Sequence, residues 1–150
     1  MTVFKKILII CLLVLSTVYT YSQISYGGTP PSFDAKGLTT DIDKLHISSP
    51  NMNTVMLEDT QDEKNGEMMK IARLLDVNAS IDNSGTWSTL EDGTEIWQLS
   101  LTSKGAKALA LHFEKFNVPP GAKVFVYDSE HKQVLGSFNH NNNRGDIEFS

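Results

Sequence analysis

WQLSLT, residues 97–102, alternates apolar with polar side chains. Because successive side chains of a strand point to opposite faces of a sheet, this run predicts a strand with one buried face and one wet face. Leu109, Leu111 and Phe113 repeat the alternation, and residues 103–106 favour a turn between the two runs. We therefore predict that 97–102 and 109–113 pair as antiparallel strands.

A second hairpin is predicted just before this run. Asp92 and Gly93 separate an apolar stretch at 87–90 from one at 95–101. Glycine accepts a positive φ without a Cβ clash, so this residue pair is typical of a tight turn between antiparallel strands.

Turn residues also divide the sequence that follows. Pro120 and Gly121 predict a type II turn, in which proline fixes one φ and glycine takes the left-handed position. The next run, 123–128, is apolar on both faces and is expected to be a central strand. A turn at 129–132 then leads into a strand at 133–138.

Short strands bounded by turn residues are typical of an all-β fold. We expect residues 77–150 to form an antiparallel β-sandwich of jelly-roll-like type. The alternating run at 146–150 looks like a strand that is cut off as it begins. Since such sandwiches usually hold seven or more strands, the domain is expected to be incomplete at its C-terminus.

Residues 23–76 lack sustained hydrophobic periodicity and are rich in glycine, proline, serine and acidic residues. This composition predicts an extended acidic leader or linker. One stretch is ambiguous, because the apolar residues of 68–75 fall at helical spacing over barely two turns. A short helix and a strand are both possible there.

The N-terminus has the order of a secretory signal peptide. Two lysines precede the apolar run 7–15, and small polar residues follow it. Residues 1–22 are therefore predicted to be removed between Ser22 and Gln23, which makes the protein secreted. The alternatives are a buried helix of a cytosolic protein and a permanent membrane span, but nine apolar residues fall short of the roughly 20 that cross a bilayer.

The charge of the chain argues against nucleic acid as a partner. Its 150 residues carry 18 acidic and 13 basic side chains, a formal charge of −5. A protein that neutralises phosphates needs a basic surface, which this balance does not offer. Cys11 is the single cysteine, so an internal disulfide and a thiolate metal cage are excluded.

No motif of the sequence predicts catalysis, a cofactor or a metal. None of the four histidines has the serine or HExxH context of a known site, and we expect solvated or structural roles for them: His46, His112, His131 and His140. Two acidic groups lack the spacing of a dedicated calcium loop: Glu58, Asp59, Asp62 and Glu63, and Asp76, Asn78 and Asp82.

Three further patterns have weak functional alternatives. The tripeptide 144–146 (Arg-Gly-Asp) matches an adhesion motif but is better explained as a loop, and the sequon at Asn78 carries similarly little weight. The aromatic residues could form a sugar-binding platform, but a role in the sandwich core is favoured. They are Trp87, Trp97, Phe113, Phe116, Phe125 and Tyr127.

Residues 85–127 carry an ordered series of short motifs. They read G-x-W, a D-G hairpin, W-x-L, S-x-G-A, a phenylalanine, and P-x-G-A before an apolar strand that ends in tyrosine. This order resembles the N-terminal, non-catalytic region of bacterial secreted serine endopeptidases of the lysyl endopeptidase type. The main residues of the match are Trp87, Asp92, Gly93, Trp97, Gly105, Ala106, Pro120, Gly121 and Tyr127.

The resemblance implies a pro-region or accessory β-sandwich that aids the folding or the latency of a trypsin-like protease domain in cis. That domain has no counterpart in this sequence, so we expect either a fragment or a truncated gene, and no catalytic residue is carried over. The export machinery is the other expected partner. The alternatives are a free-standing secreted module that binds carbohydrate or protein, and an independent hydrolase.

Overall fold

The computed structural model describes residues 25–145 and 148–150. Within them, six strands form three two-stranded sheets, with one α-helix and two 3-10 turns. The strands are β1 (Lys44–Ile47), β2 (Thr86–Thr89), β3 (Glu95–Gln98), β4 (Ser100–Ser103), β5 (Val124–Tyr127) and β6 (Val134–Phe138). The helix is α1 (Met52–Asn65), and the 3-10 turns are Pro31–Phe33 and His140–Asn142.

The sequence predicted an all-β fold, and the structure shows a mostly-β one, with α1 as the departure from the prediction. The sandwich and its jelly-roll-like packing stay predictions. The predicted signal peptide at 1–22 and its cleavage site at Ser22 and Gln23 lie outside the described residues. Within the described residues, no helix is both long and apolar enough to span a bilayer.

The hairpin predicted around Asp92 and Gly93 is confirmed. β2 and β3 are antiparallel, and Trp87 lies directly opposite Trp97. At the tip, the Asp92 carboxylate accepts a 2.9 Å hydrogen bond from the N–H of Thr94, and Gly93 has a φ of 84°. The bond from Thr94 is the main cause that lowers the pKa of Asp92.

The run 97–102 is not one strand, because the chain changes partners at Leu99. β3 ends at Gln98, and β4 pairs in parallel with β1, which places Leu101 opposite Leu45. β1 was not predicted, because four residues with two apolar positions give too short an alternation to stand out in a stretch rich in turn residues.

The predicted pairing of 97–102 with 109–113 is wrong. The partner of β4 is β1, and residues 109–112 lie outside the strands. Phe113 instead forms an isolated antiparallel bridge with Phe149, and the two ring centroids are 6.2 Å apart. Of the predicted strand at 146–150, residues 146 and 147 lie outside the described part of the chain.

The turn and hairpin predicted for 119–138 are confirmed. The N–H of Ala122 donates a 3.1 Å hydrogen bond to the carbonyl of Pro119, and Gly121 has a φ of 91°. β5 and β6 then pair as antiparallel strands. β5 is not a central strand, however, because its sheet holds two strands and all four of its residues are half-buried.

α1 lies in the segment that was predicted to be an extended leader. Asn51 caps its N-terminus by accepting hydrogen bonds from the N–H groups of Asn53 and Thr54, and Gly66 ends it with a left-handed φ of 73°. No residue of the helix is buried. A helix without a buried apolar face has no hydrophobic periodicity, which explains why the pattern did not predict it.

Residues 67–80 form neither of the two structures left open for 68–75. They contain no helix and no strand. We call residues 67–80 the exposed segment, because most of its large apolar side chains face solvent: Met68 is 91% exposed, Ile71 94% and Leu74 81%. Its helical spacing of apolar residues therefore does not mark a buried face.

The chain divides into two compact units. The hairpin unit comprises residues 25–28 and 115–145, and its buried apolar residues are Phe116 and Val118. The helical unit comprises residues 29–114 and 148–150, with Phe149 buried against Phe113. The domain boundary predicted after residue 76 stays a prediction.

Candidate functional site

Ion pairs connect α1 with the exposed segment. The ammonium of Lys70 lies 2.7 Å from the carboxylate of Asp62. Arg73 pairs with Asp59, and its Nε lies 3.8 Å from Glu58. The hydrogen bond and the negative charge of Asp62 together raise the pKa of Lys70 above its usual value. The acidic face of α1 therefore holds the segment that follows it.

The backbone of the exposed segment makes little use of its hydrogen-bonding groups. In the described part of the chain, no backbone–backbone hydrogen bond has its donor or acceptor between residues 68 and 79. The guanidinium of Arg73 donates to the carbonyls of Lys70 and Ala72, at 3.3 and 3.1 Å. A cluster of exposed large apolar side chains is a candidate contact surface, and a backbone with few hydrogen bonds is typical of a segment of low local stability.

A groove lies between β1 and the exposed segment. Its volume is about 320 Å³, and it is lined by residues 45–48 and 75–78. His46 lies in this lining, and its Nδ1 is 2.7 Å from the hydroxyl of Thr102 on the paired strand. This contact connects the side chains of two residues that lie opposite each other in the β1–β4 sheet.

The acidic residues considered for calcium do not form a cage. Glu58, Asp59 and Asp62 each face a cation of the exposed segment. Among the described residues, no group of three or more histidine, cysteine or acidic side chains is placed to hold a metal ion. The arrangement binds basic side chains of the same chain.

The four histidines have four different local surroundings. His46 contacts Thr102 in the β1–β4 sheet, and His112 is exposed outside the strands, which corrects its predicted place on a strand face. His131 occupies the β5–β6 turn with a φ of 58°, where its ring meets Tyr127 edge-on at 5.4 Å. His140 begins a 3-10 turn.

The asparagine-rich stretch before Arg144 is held in place by side-chain hydrogen bonds to the backbone. Asn142 is only 6% exposed, and its side chain accepts a 2.9 Å hydrogen bond from the N–H of Asn139. The amide of Asn143 bonds both backbone groups of Val118, at 2.8 and 2.9 Å. Asn142 and Asn143 therefore order the stretch before the tripeptide 144–146, whose aspartate lies outside the described residues.

Trp97 is fixed by the residues just before β2. Its Nε1 donates a 2.8 Å hydrogen bond to the carbonyl of Ser84, and Gly85 lies against its indole ring. Trp87, on the opposite strand, is 53% exposed. The predicted role of both tryptophans in a core therefore does not hold for Trp87.

The other residues of the motif series lie at turns and strand ends. Gly105 has a φ of 80°, and Ala106 closes its turn with a 3.2 Å hydrogen bond to the carbonyl of Ser103. Tyr127 ends β5. Most of these positions shape the backbone, and their role as a family signature stays a prediction.

Asp43 is the residue that the sequence analysis missed. Its carboxylate accepts a 2.7 Å hydrogen bond from the N–H of Gly85, and its N–H donates to the hydroxyl of Thr86 at 2.9 Å. Its carbonyl accepts from the N–H of Ser100 at 3.0 Å. Asp43 thus ties the start of β1 to β2 and β4. The sequence around Asp43 gave no signal for these contacts, because all three partners are distant along the chain.

The comparison with known families identifies the chain. The family model of the lysyl endopeptidase N-terminal domain matches residues 46–144, which are 99 of the 150 residues. The match begins in β1 and so includes α1 and the exposed segment. No solved structure matches the chain. The resemblance found in the ordered motifs is confirmed, and the chain belongs to the lysyl endopeptidase N-terminal domain family.

Proposed function

We propose that the chain is the non-catalytic pro-region of an exported, lysine-directed serine endopeptidase. The match to the lysyl endopeptidase N-terminal domain carries this proposal. The pro-region acts on a protease domain in cis, whose folding it assists and whose activity it restrains. Sequence reasoning adds export through a signal peptide cut between Ser22 and Gln23, which N-terminal sequencing of the exported protein tests.

The surface of the helical unit supports a protein partner. The exposed segment presents Met68, Met69, Ile71 and Leu74, which are between 79% and 94% exposed. On α1, Met56 and Leu57 are 64% and 73% exposed. Burying such side chains is favourable by about 1.5–3 kcal/mol for each large residue. Methionine adapts its shape to a partner surface, which suits contact with an incompletely folded domain.

Refolding in trans tests the proposal. A denatured catalytic domain of a lysyl endopeptidase is diluted into buffer with and without an equimolar amount of the chain, and cleavage of a lysyl peptide is followed. We expect a higher yield of active enzyme with the chain present and slower turnover when the chain is added to folded enzyme. Unchanged yield together with unchanged turnover would overturn the proposal.

A matched pair of variants locates the contact. Exchange of Ile71 and Leu74 for serine removes two exposed apolar side chains and should weaken both effects. Leu135→Ser changes a residue of the hairpin unit that is 64% exposed and should leave both effects intact. Equal behaviour of the two variants would move the contact away from the exposed segment.

The exposure of Trp87 favours a second candidate, a secreted binding module. An indole that is half-exposed beside a second tryptophan on the opposite strand can stack on a sugar ring. Titration with glycans and matrix proteins, followed by tryptophan fluorescence, tests this function. A response that Trp87→Ala removes would support it, and a flat response would remove its basis.

A further inference from the structure

We infer that the peptide bond between Lys70 and Ile71 is a built-in cleavage site for a lysine-specific serine endopeptidase. The inference rests on the proposed function, from which the class of protease is taken. It adds a position inside the pro-region at which that protease cuts. It also adds the residue that restrains the cut, Asp62.

The backbone around Lys70 already has the form that a protease cleft requires. Proteases bind substrates as extended strands, so a bond inside a helix, strand or turn must first unfold. Residues 68–79, in the described part of the chain, lie outside helices and strands and make no backbone–backbone hydrogen bond. Only side-chain contacts therefore have to open for residues 68–73 to enter a cleft: the ion pairs of Lys70 and Arg73, and the hydrogen bond from Arg73 to the Lys70 carbonyl.

The side chains around the bond are also accessible. The residues on either side, Met69 and Ile71, are 79% and 94% exposed, and the Lys70 side chain itself is 50% exposed. An acidic specificity pocket would bind the Lys70 ammonium, as the Asp62 carboxylate does in this structure. The apolar neighbours add contact area along the cleft.

Other lysines are less suited to this reaction. Lys64 lies in α1 and Lys44 in β1. Lys115 is exposed outside the strands, but the residue that follows it, Phe116, is only 5% exposed. Lys107 is a stronger competitor, since residues 107–112 also lie outside the strands and Lys107 is exposed. The residues that precede it form a turn, however, which the hydrogen bond from Ala106 to Ser103 closes. That turn must open before Lys107 fits an extended cleft.

Asp62 competes with the protease for Lys70. Its carboxylate lies 2.7 Å from the ammonium, and the ammonium must leave this partner to enter a specificity pocket. Arg73, held by Asp59 and Glu58 two residues beyond Ile71, keeps the same stretch near α1. The ion pairs with α1 therefore slow the cut without blocking it.

The reaction is ordinary peptide hydrolysis. One water molecule adds across the amide bond, so the Lys70 carbonyl carbon gains a hydroxyl and becomes a carboxylate, while the Ile71 nitrogen becomes a free amine. β1 then lies on one product and β4 on the other. After the cut, the β1–β4 sheet and the contacts of Asp43 join the two products without a covalent link.

The test is a time course of the purified chain with a lysine-specific serine endopeptidase, read by N-terminal sequencing and intact mass. Ile71 should be the first new N-terminus within residues 25–145. Lys70→Gln should remove this product, whereas Lys107→Gln should leave its initial rate unchanged. Asp62→Asn should raise the initial rate about two- to fivefold, the range expected for loss of an ion pair whose ammonium end, on Lys70, is half-exposed.

Three outcomes would overturn the inference. They are a first cut after another lysine of residues 25–145, an Ile71 product that still forms from Lys70→Gln, and an initial rate that Asp62→Asn leaves unchanged. The refolding assay with Lys70→Gln separates this inference from the proposed function. If Lys70→Gln resists the cut and still raises the yield of active enzyme, the proposed pro-region function does not depend on cleavage after Lys70.

Discussion

Gly85 lies against the indole ring of Trp97, where a Cβ would come within 2.7 Å of Cζ2. The backbone of Gly85 has a φ of 84°, a value that residues with a side chain rarely adopt. Its N–H also donates to the carboxylate of Asp43. Because Gly85 has no side chain, the indole of Trp97 and the carboxylate of Asp43 can both contact the backbone just before β2.

Gly85→Ala should destabilise the protein through both the clash and the backbone. We expect a loss of about 1–3 kcal/mol in the free energy of unfolding from the overpacked contact, in addition to about 1 kcal/mol from the left-handed φ. Urea unfolding followed by tryptophan fluorescence measures the sum.

Gly93→Ala is the matched control for this change. Gly93 has the same φ of 84°, but a Cβ there would have no atom within 4 Å. The difference between the two variants therefore isolates the contact with Trp97. Equal losses would mean that the indole shifts at no cost and that Gly85 is needed only for its backbone.

Asn143→Ala should destabilise the hairpin unit. Its amide bonds both the N–H and the carbonyl of Val118, which is 6% exposed, and the truncation leaves two buried backbone groups without that partner. We expect a loss of about 1–3 kcal/mol, measured by thermal or urea unfolding. Asn143→Asp keeps an acceptor for the Val118 N–H and should lose less.

The exposed Asn141 provides the comparison for Asn143. Asn141→Ala, two residues earlier in the same stretch, should change the stability by no more than about 0.5 kcal/mol. A loss as large as that of Asn143→Ala would show that the whole stretch, and not the clamp on Val118, determines stability.

Asp43→Ala should weaken the attachment of β1. The carboxylate gives up its 2.7 Å bond with Gly85, which we expect to cost about 1 kcal/mol in the free energy of unfolding. Hydrogen exchange of the β1 and β4 amides should rise with it. Asp41→Ala is the control, and equal effects of both variants would contradict a specific role of Asp43.

The stability of the protein should depend on pH through Asp128. The N–H of Gln133 is the main cause that lowers the pKa of this carboxyl, and the N–H of Lys132 adds to it. A pKa that is lower in the folded state stabilises the protein above the ordinary value of 3.8, and this contribution is lost as the pH falls through the folded value.

Asp128→Asn should therefore unfold at a lower urea concentration than the wild type at pH 7. The difference should shrink as the pH falls below 3.8. Glu130→Gln changes a carboxylate in the same turn, one that pairs with the exposed Lys132, and serves as the control. A difference between wild type and Asp128→Asn that is constant with pH would argue against the charge as the cause.

Local turn chemistry explains why part of the fold could be predicted. Asp92 with Gly93, and Pro120 with Gly121, specify their turns through neighbouring residues, and the hairpins around or after them are present in the structure. The family motifs contain the same turns. A sequence is informative where the residues that interact are close together along the chain.

The remaining features depend on distant partners or lack a hydrophobic pattern. His46 and Thr102 are 56 residues apart, and no local signal indicates that their strands pair in parallel. α1 has its signals only at its ends, in Asn51 and Gly66, because it buries no residue. The ion pair of Lys70 with Asp62 depends on α1, for which the interior of the helix gives no sequence signal.

The single residue Leu99 separates two strands with different partners: β3 pairs with β2 in the antiparallel sense, and β4 pairs with β1 in the parallel sense. The number of residues in the stretch 95–103 is therefore fixed by the two pairings. Because side chains alternate with a period of two, one inserted or deleted residue at Leu99 would turn Ser100–Ser103 over relative to β1. We therefore expect substitutions in the stretch 95–103, but no insertions or deletions that would shift the register of β4 against β1. Length variation among homologues should therefore accumulate at 91–93 and 104–112, and an alignment can be anchored on the nine residues 95–103.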